Sequence, residues 1–508
     1  MSRTENTNRL LAIGVDAAEP EFVRQMIAQG QMPALQKLLS TGKYFRVEST
    51  AGIGSGSVWP TFISGQDAQT HGAYGEWLWE PATMKLSRYR PRGAKPFWSE
   101  LAEQGITVGI LDVPFMPMVE LRDGFEISEW GPHDVVEGKI QVGPDSVGEI
   151  VTRNSPHPLE SAVAVSGPHD YQNLEKLSNA CLNGIKLRGT LTKDLIAATH
   201  PQFLLTVFTE VHRSGHYLWH QAEPDHPVYR HSGIANFAVT RPTMHEIYGA
   251  LDEQIGALIN AAGEDTPVMV FSLHGMRATH GTPAFLAPWL CESGFARFGD
   301  WGNQSWRDRA RALMARIKKL SPAGVKKLYY KIMPATATHR LALPTMLPLY
   351  DWSQTRAFAL PTDQHGWIRI NLIGRESQGI VPPSRYQDLC SDLEARLRDL
   401  KSEDGDPLVR EIIKTAGDVE SALTQGIPDI VIHWTDNVFK SPLRIKGSAV
   451  DVEAVGKKYT GQHALEGFCI LRSPLDLGDV EVLLSKDLHG LIRRLLAITD
   501  EVARASRP

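Results

Sequence analysis

Short continuous apolar runs recur along the chain, each ended by a polar or small residue, with stretches of helical periodicity between them. Residues 10–15 (LLAIGV) form the first run, and Asp16 follows it directly. An unbroken apolar run of this length suits a strand buried on both faces, as in a parallel sheet. Residues 21–39 then place Phe22, Met26, Ile27, Leu35, Leu38 and Leu39 at helical spacing, with Pro33 as a break. The alternation continues as a helix over 97–104, a strand over 107–113, a helix over 174–200, a strand over 203–208, a helix over 241–262 and a strand over 268–272. Strand and helix in turn predict an α/β fold with a mostly parallel central sheet flanked by helices. Further strands are expected at 367–372 and 430–434. Between them and the sheet the pattern weakens, with helical patches only at 310–320 and 324–332, so 283–345 reads as an insertion or cap.

In open α/β sheets ligands gather at the carboxyl ends of the strands. Asp16 ends the first strand, TEVHRSGHYLWH follows the 203–208 strand, and His274 follows the 268–272 strand in SLHGM. His212 and His216 are four apart, so one helical turn sets both imidazoles on one face. His463 falls in TGQHALEG, read as a loop. A lone histidine is more often structural than a ligand; the conjunction of these positions is what suggests a metal site. Between the first two strands lies residues 52–72, GIGSGSVWPTFISGQDAQTHG, where Ser55 and Ser57 sit in a glycine-rich bend. Such a bend suits a serine nucleophile, although an ordinary turn has the same composition. Tyr74, Trp77 and Trp79 follow it, as pocket lining or as an aromatic core.

Composition narrows the classes. With 508 residues, 42% hydrophobic and 22% charged, the chain can bury a large core. A net charge of −5 gives no reason to expect nucleic acid or an anionic membrane as partner. The four cysteines form no CxxC pair, and no apolar run approaches the roughly 20 residues of a membrane span. The opening segment reads as a polar lead into a strand and not as a signal peptide, so a cytoplasmic location is expected.

In their order and spacing these motifs resemble the alkaline phosphatase superfamily, and within it the type I phosphodiesterase/nucleotide pyrophosphatase branch. GVDAAEP is similar to its first metal-binding aspartate motif, and SGSVWPTFISGQDAQTHG to its nucleophile segment. EVHRSGH resembles Asp-x-x-x-His, SLHGM resembles Asp-His-Gly, and GQHALEG resembles the segment of the last metal histidine. RINLIGRESQGIV is similar to a strand and turn of bacterial members. The resemblance implies a single catalytic domain over 1–508 and a small-molecule phosphoester substrate. It places the nucleophile at Ser55, ten residues before Gly65, with Ser57 as rival in a slot the family fills with proline. It also implies two divalent-metal sites: one of His212, His216 and His463, the other of Asp16, Ser55 and His274.

Two departures stand out. His212 and Leu273 occupy positions where the family has aspartates. Three imidazoles make an ordinary zinc shell, whereas the second site is expected to be weakened, giving one or two ions. Glu210 and His280 are candidates to compensate, and Arg213, Arg369 and Arg375 are candidate phosphate clamps. The expected activity is metal-dependent hydrolysis of a phosphodiester or pyrophosphate through a phospho-serine. Alternatives are a phosphomonoesterase or sulfatase on the same fold, or a binding protein on an altered hydrolase.

Overall fold

The run LLAIGV is the strand Leu10–Val15, and it lies at the middle of the sheet that organises the larger part of the molecule. It is buried on both faces: Leu11, Ile13 and Val15 enter one hydrophobic core, Leu10 and Ala12 the other. The period of two along a strand requires this division. The computed structural model describes residues 9–89, 95–116, 118–131, 139–161, 165–231, 239–279, 285–299, 346–362, 364–439, 443–452 and 459–496.

Two compact units make up the chain. The first comprises Met1–His71, Arg90–Thr279 and Lys457–Pro508; the second comprises Gly72–Tyr89 and His280–Gly456. The expected insertion at 283–345 falls within the range of the second unit, and its helical patches at 310–320 and 324–332 lie outside the described residues.

The first unit holds a nine-stranded mixed sheet. Its parallel heart runs Val268–Ser272, Leu10–Val15, Phe203–Phe208, Val108–Leu111, Gly124–Ser128. Because these strands are parallel, Asp16, Thr209 and Leu273 all emerge at the same edge. Lys43–Glu48 and Glu466–Arg472 extend the sheet beyond Val268–Ser272, Glu466–Arg472 running antiparallel to both neighbours. Glu466–Arg472 carries a short buried apolar run, GFCIL, whereas Lys43–Glu48 has none. In KYFRVE only Phe45 and Val47 are buried, the half-buried alternation of a strand near a sheet edge.

Helices cover both faces. Pro20–Ala28, Pro33–Thr41, Tyr171–Thr199 and Met244–Ala262 pack on one core; Val58–Ser64, Phe97–Glu103 and Leu488–Leu495 pack on the other. Met244–Ala262 starts three residues later than its periodicity suggests. Pro242 cannot continue a helix backward, and Thr243 caps it, its Oγ1 accepting from the Glu246 N–H while Glu246 accepts from the Thr243 N–H.

The second unit contains an antiparallel sheet in the order Ala357–Leu360, Gly366–Ile370, Ile430–Trp434, Val409–Lys414. Tyr74 and Trp79 are buried within this unit. The Trp79 N–H donates to Tyr74 Oη at 2.7 Å, and the Trp79 ring stands 4.8 Å from that of Phe358. For these two the aromatic-core reading holds.

Candidate metal centre and nucleophile turn

The helix Glu210–Leu218 begins one residue beyond the strand Phe203–Phe208. Its geometry gives His212 and His216 a common face, and their Nε2 atoms are 2.9 Å apart. His463 comes from a distant part of the chain. It lies not in a loop but in the short strand Gly461–His463, antiparallel to Met276–Ala278, with His463 opposite Met276. Gly461 permits this approach: a Cβ there would stand 2.2 Å from the Gly215 carbonyl oxygen on the helix. His463 Nε2 reaches to 2.6 Å from His212 Nε2.

His212, His216 and His463 are the one group of three or more such ligands among the described residues whose donor atoms all lie within 4.8 Å of one another. The other ring nitrogens face outward. His212 Nδ1 is 2.6 Å from Asp16 Oδ2, and His216 Nδ1 is 3.0 Å from the Gly461 carbonyl oxygen. Each of these oxygens accepts an N–H, which leaves the Nε2 lone pairs turned toward one another. Burial, and then the neighbouring imidazoles of His212, His274 and His216, push the His463 imidazole well below its ordinary value, with Asp16 opposing. Three imidazole nitrogens converging on one point form a donor set that fits a divalent cation, and zinc in particular.

His274 adjoins this group, its ring centroid 4.7 Å from that of His463 and its Nε2 3.6 Å from Asp16 Oδ1. Asp16 is 1% exposed, and its Oδ1 also accepts from the indole N–H of Trp59 at 2.8 Å. Sequence reasoning alone gives Trp59 no site role; the signal is its place four residues after Ser55 in one continuous helical segment. Gly14 makes room for it, since a Cβ there would meet Trp59 Cη2 at 3.1 Å.

The two serines of the turn have different fates. Ser57 is fully buried and its hydroxyl lies 2.7 Å from both the Gly54 carbonyl oxygen and Thr50 Oγ1. Thr50 Oγ1 continues to Thr61 Oγ1 at 3.0 Å, and Thr61 Oγ1 to His71 Nε2 at 2.9 Å. Burial holds the His71 imidazole down at about 4, so it is neutral at pH 7. Ser55 is half-buried, and its hydroxyl has no hydrogen-bond partner among the described residues. The turn thus locks Ser57 and presents Ser55.

Several other candidates lie elsewhere. Glu210 points away from the histidines, because two residues along a helix turn about 200°. It is fully buried between Arg188, whose Nε is 2.9 Å from Oε1, and His157, whose Nε2 is 2.9 Å away. Burial alone would raise its carboxyl, but the Arg188 charge and the His157 hydrogen bond outweigh this and hold it at about 2. Arg213 lies 5.4 Å over the Tyr217 ring. Arg369 and Arg375 belong to the second unit, where both are buried in ion pairs with Glu376 and, for Arg375, Asp429. His280 lies outside the described residues. Leu273 is 1% exposed and packs in the same core as Trp59 and Phe271.

A mostly parallel sheet with a histidine–aspartate cluster at its strand ends and a serine turn anchored to it defines an alkaline phosphatase-like α/β fold. Residues 10–439 match the family model of type I phosphodiesterase/nucleotide pyrophosphatase, and the chain belongs to that family. Its members are phosphoester hydrolases of the phosphodiesterase and pyrophosphatase type, generally dependent on divalent metal. Among solved structures, the chain is similar to phosphonoacetate hydrolase from Sinorhizobium meliloti 1021 in complex with phosphonoformate, at 14% identity and a TM-score of 0.54, covering 96% of this chain and 95% of that one. It is also similar to murine ectonucleotide pyrophosphatase/phosphodiesterase 5 in complex with AMP, at 11% identity and a TM-score of 0.45, covering 97% and 96%. No curated protein matches significantly. Among the described residues, no helix is long and apolar enough to cross a membrane.

Proposed function

We propose that the protein hydrolyses a small-molecule phosphodiester or pyrophosphate, with Ser55 as nucleophile and His212, His216 and His463 holding a divalent ion, zinc by the chemistry of the donors. The observation that carries this reading is the convergence of three Nε2 atoms, tied through Asp16 and Trp59 to a helical segment in which Ser57 is locked and Ser55 is not. A divalent ion in that position supplies Lewis-acid stabilisation of charge on the phosphoryl oxygens. Ser55 Oγ, giving up its proton, forms the bond to phosphorus while the bond to the leaving oxygen breaks, and the leaving oxygen departs with the electron pair and takes up a proton, giving a phospho-serine. Water then cleaves the Oγ–P bond and releases the second product. Asp16, through Trp59, anchors the segment that carries Ser55. All four cysteines are free, which suits a reducing cytoplasm.

The test is turnover of aryl phosphodiester, phosphomonoester and sulfate ester substrates by the metal-loaded protein. Diester cleavage is expected to lead, and Ser55→Ala is expected to lower it by about 10⁴-fold or more while metal binding persists. Preference for the monoester or the sulfate selects the corresponding alternative. Unchanged turnover in Ser55→Ala refutes the nucleophile.

A further inference from the structure

The donor set around Asp16 does not fit a second ion. We propose that this chain has a mononuclear centre of three imidazoles, in which Asp16 is a positioning residue that orients His212 and not a ligand of another metal. The inference rests on the reading of His212, His216 and His463 as the metal-holding group.

Both carboxylate oxygens of Asp16 are already engaged. Oδ2 lies 2.6 Å from His212 Nδ1, and Oδ1 accepts the buried Trp59 indole N–H at 2.8 Å. A carboxylate on the outer nitrogen of a ligating imidazole fixes its tautomer and ring orientation and raises its basicity. The Gly461 carbonyl oxygen plays the same part on His216 Nδ1, at 3.0 Å. Two of the three imidazoles thus carry the outer partner typical of metal-binding histidines. The Trp59 indole sits in an apolar core, so its hydrogen bond to Oδ1 holds the carboxylate in the orientation that places Oδ2 on His212 Nδ1.

Of the other expected donors, Ser55 and His274 bring a hydroxyl and one imidazole but no further carboxylate. Leu273 offers no donor atom and is packed into the core that holds Trp59. Glu210 is committed to Arg188 and His157. His274 is left as a single imidazole, its Nδ1 3.2 Å from the Gly275 carbonyl oxygen. The two departures from the family pattern then belong together. A histidine at 212 takes Asp16 as its outer partner, and with that partner taken a carboxylate at 273 has no second ion to hold.

Titration of the metal-free protein with Zn(II), followed by calorimetry and by metal content after gel filtration, tests this. One equivalent is expected, and His274→Ala should leave that stoichiometry unchanged. Asp16→Ala should still bind one equivalent but about 10–100-fold more weakly. Asp16→Asn, whose amide oxygen can still accept from Nδ1–H, should fall between Asp16→Ala and the unmodified protein. In Co(II)-loaded protein, Asp16→Ala should shift the visible absorption without halving it. Two equivalents in the unmodified protein, one of them lost in Asp16→Ala or His274→Ala, would overturn the mononuclear assignment while leaving the proposed hydrolase intact. If His212→Ala also binds Zn(II) as the unmodified protein does, the reading of the three-histidine group itself fails.

Discussion

Two buried polar clusters, one in each unit, both contain residues that look like site chemistry in sequence, and they are built on opposite principles. In the second unit Arg369 and Arg375 meet Glu376 and Asp429, two cations against two anions. Arg375 donates to both oxygens of Asp429 at 2.7 and 2.8 Å, Tyr386 donates to Asp429 at 2.9 Å, and backbone carbonyls take up further guanidinium donors. Charge and hydrogen bonding close within the cluster. In the first unit, His212 and His274 approach the single carboxylate of Asp16, and the Nε2 atoms of His212, His216 and His463 face one another. Burial and the neighbouring imidazoles of His212, His274 and His216 push the His463 imidazole well below its ordinary value. A closed buried cluster holds a fold together, whereas converging ring nitrogens form a donor set that fits a cation.

Breaking the closed cluster should have the largest effect on stability. Asp429→Ala leaves Arg375 buried without its main partner and is expected to cost about 3–5 kcal/mol in urea unfolding, with metal stoichiometry unchanged. Acid should expose the same dependence. Burial would raise the Asp429 carboxyl, but the Arg375 and Arg369 charges and hydrogen bonds hold it below its ordinary 3.8. A depressed carboxylate stabilises the fold above the unfolded value and loses that contribution as pH falls through the lower folded one. The unmodified protein should therefore lose stability below about pH 4, and Asp429→Asn should flatten that limb of the profile.

Breaking the open cluster should do the reverse. His463→Ala should weaken Zn(II) binding by more than about 100-fold, beyond the loss expected for an outer-shell partner, while destabilising the metal-free protein far less than Asp429→Ala does. If both substitutions cost the same stability and neither altered metal binding, the distinction between the clusters would collapse. The smallest effect is expected at the turn. Ser57→Ala removes hydrogen bonds to the Gly54 carbonyl and Thr50 and should cost about 1 kcal/mol in thermal unfolding, with turnover reduced much less than in Ser55→Ala.

Much of the first unit was legible as sequence because its strands are short apolar runs with no competing pattern. Leu10–Val15, Phe203–Phe208 and Val268–Ser272 begin and end where the apolar runs do. The histidine pair was legible too, since helical spacing of four is a local property. Lys43–Glu48 carries little sequence signal because a strand near a sheet edge needs only one apolar face, and the strand that holds His463 resembles a loop because three residues have almost no local signature.

The sequence by itself determined which residue types exist and which local faces they share: a serine turn, two histidines on one helix face, an aspartate at a strand end, a leucine where a carboxylate was expected. Only the tertiary structure decided which of them act together. Ser57 and Ser55 are chemically equal until packing buries one hydroxyl against Gly54 and Thr50. Glu210 and His212 are two residues apart, yet helical rotation sends one to Arg188 and the other to Asp16. Arg369 and Arg375 could bind an anion from any surface, but burial with Glu376 and Asp429 consumes their donors. Hydrogen bonds and ion pairs act over a few ångströms, and separations such as the 251 residues between His212 and His463 become that short only when the chain is folded.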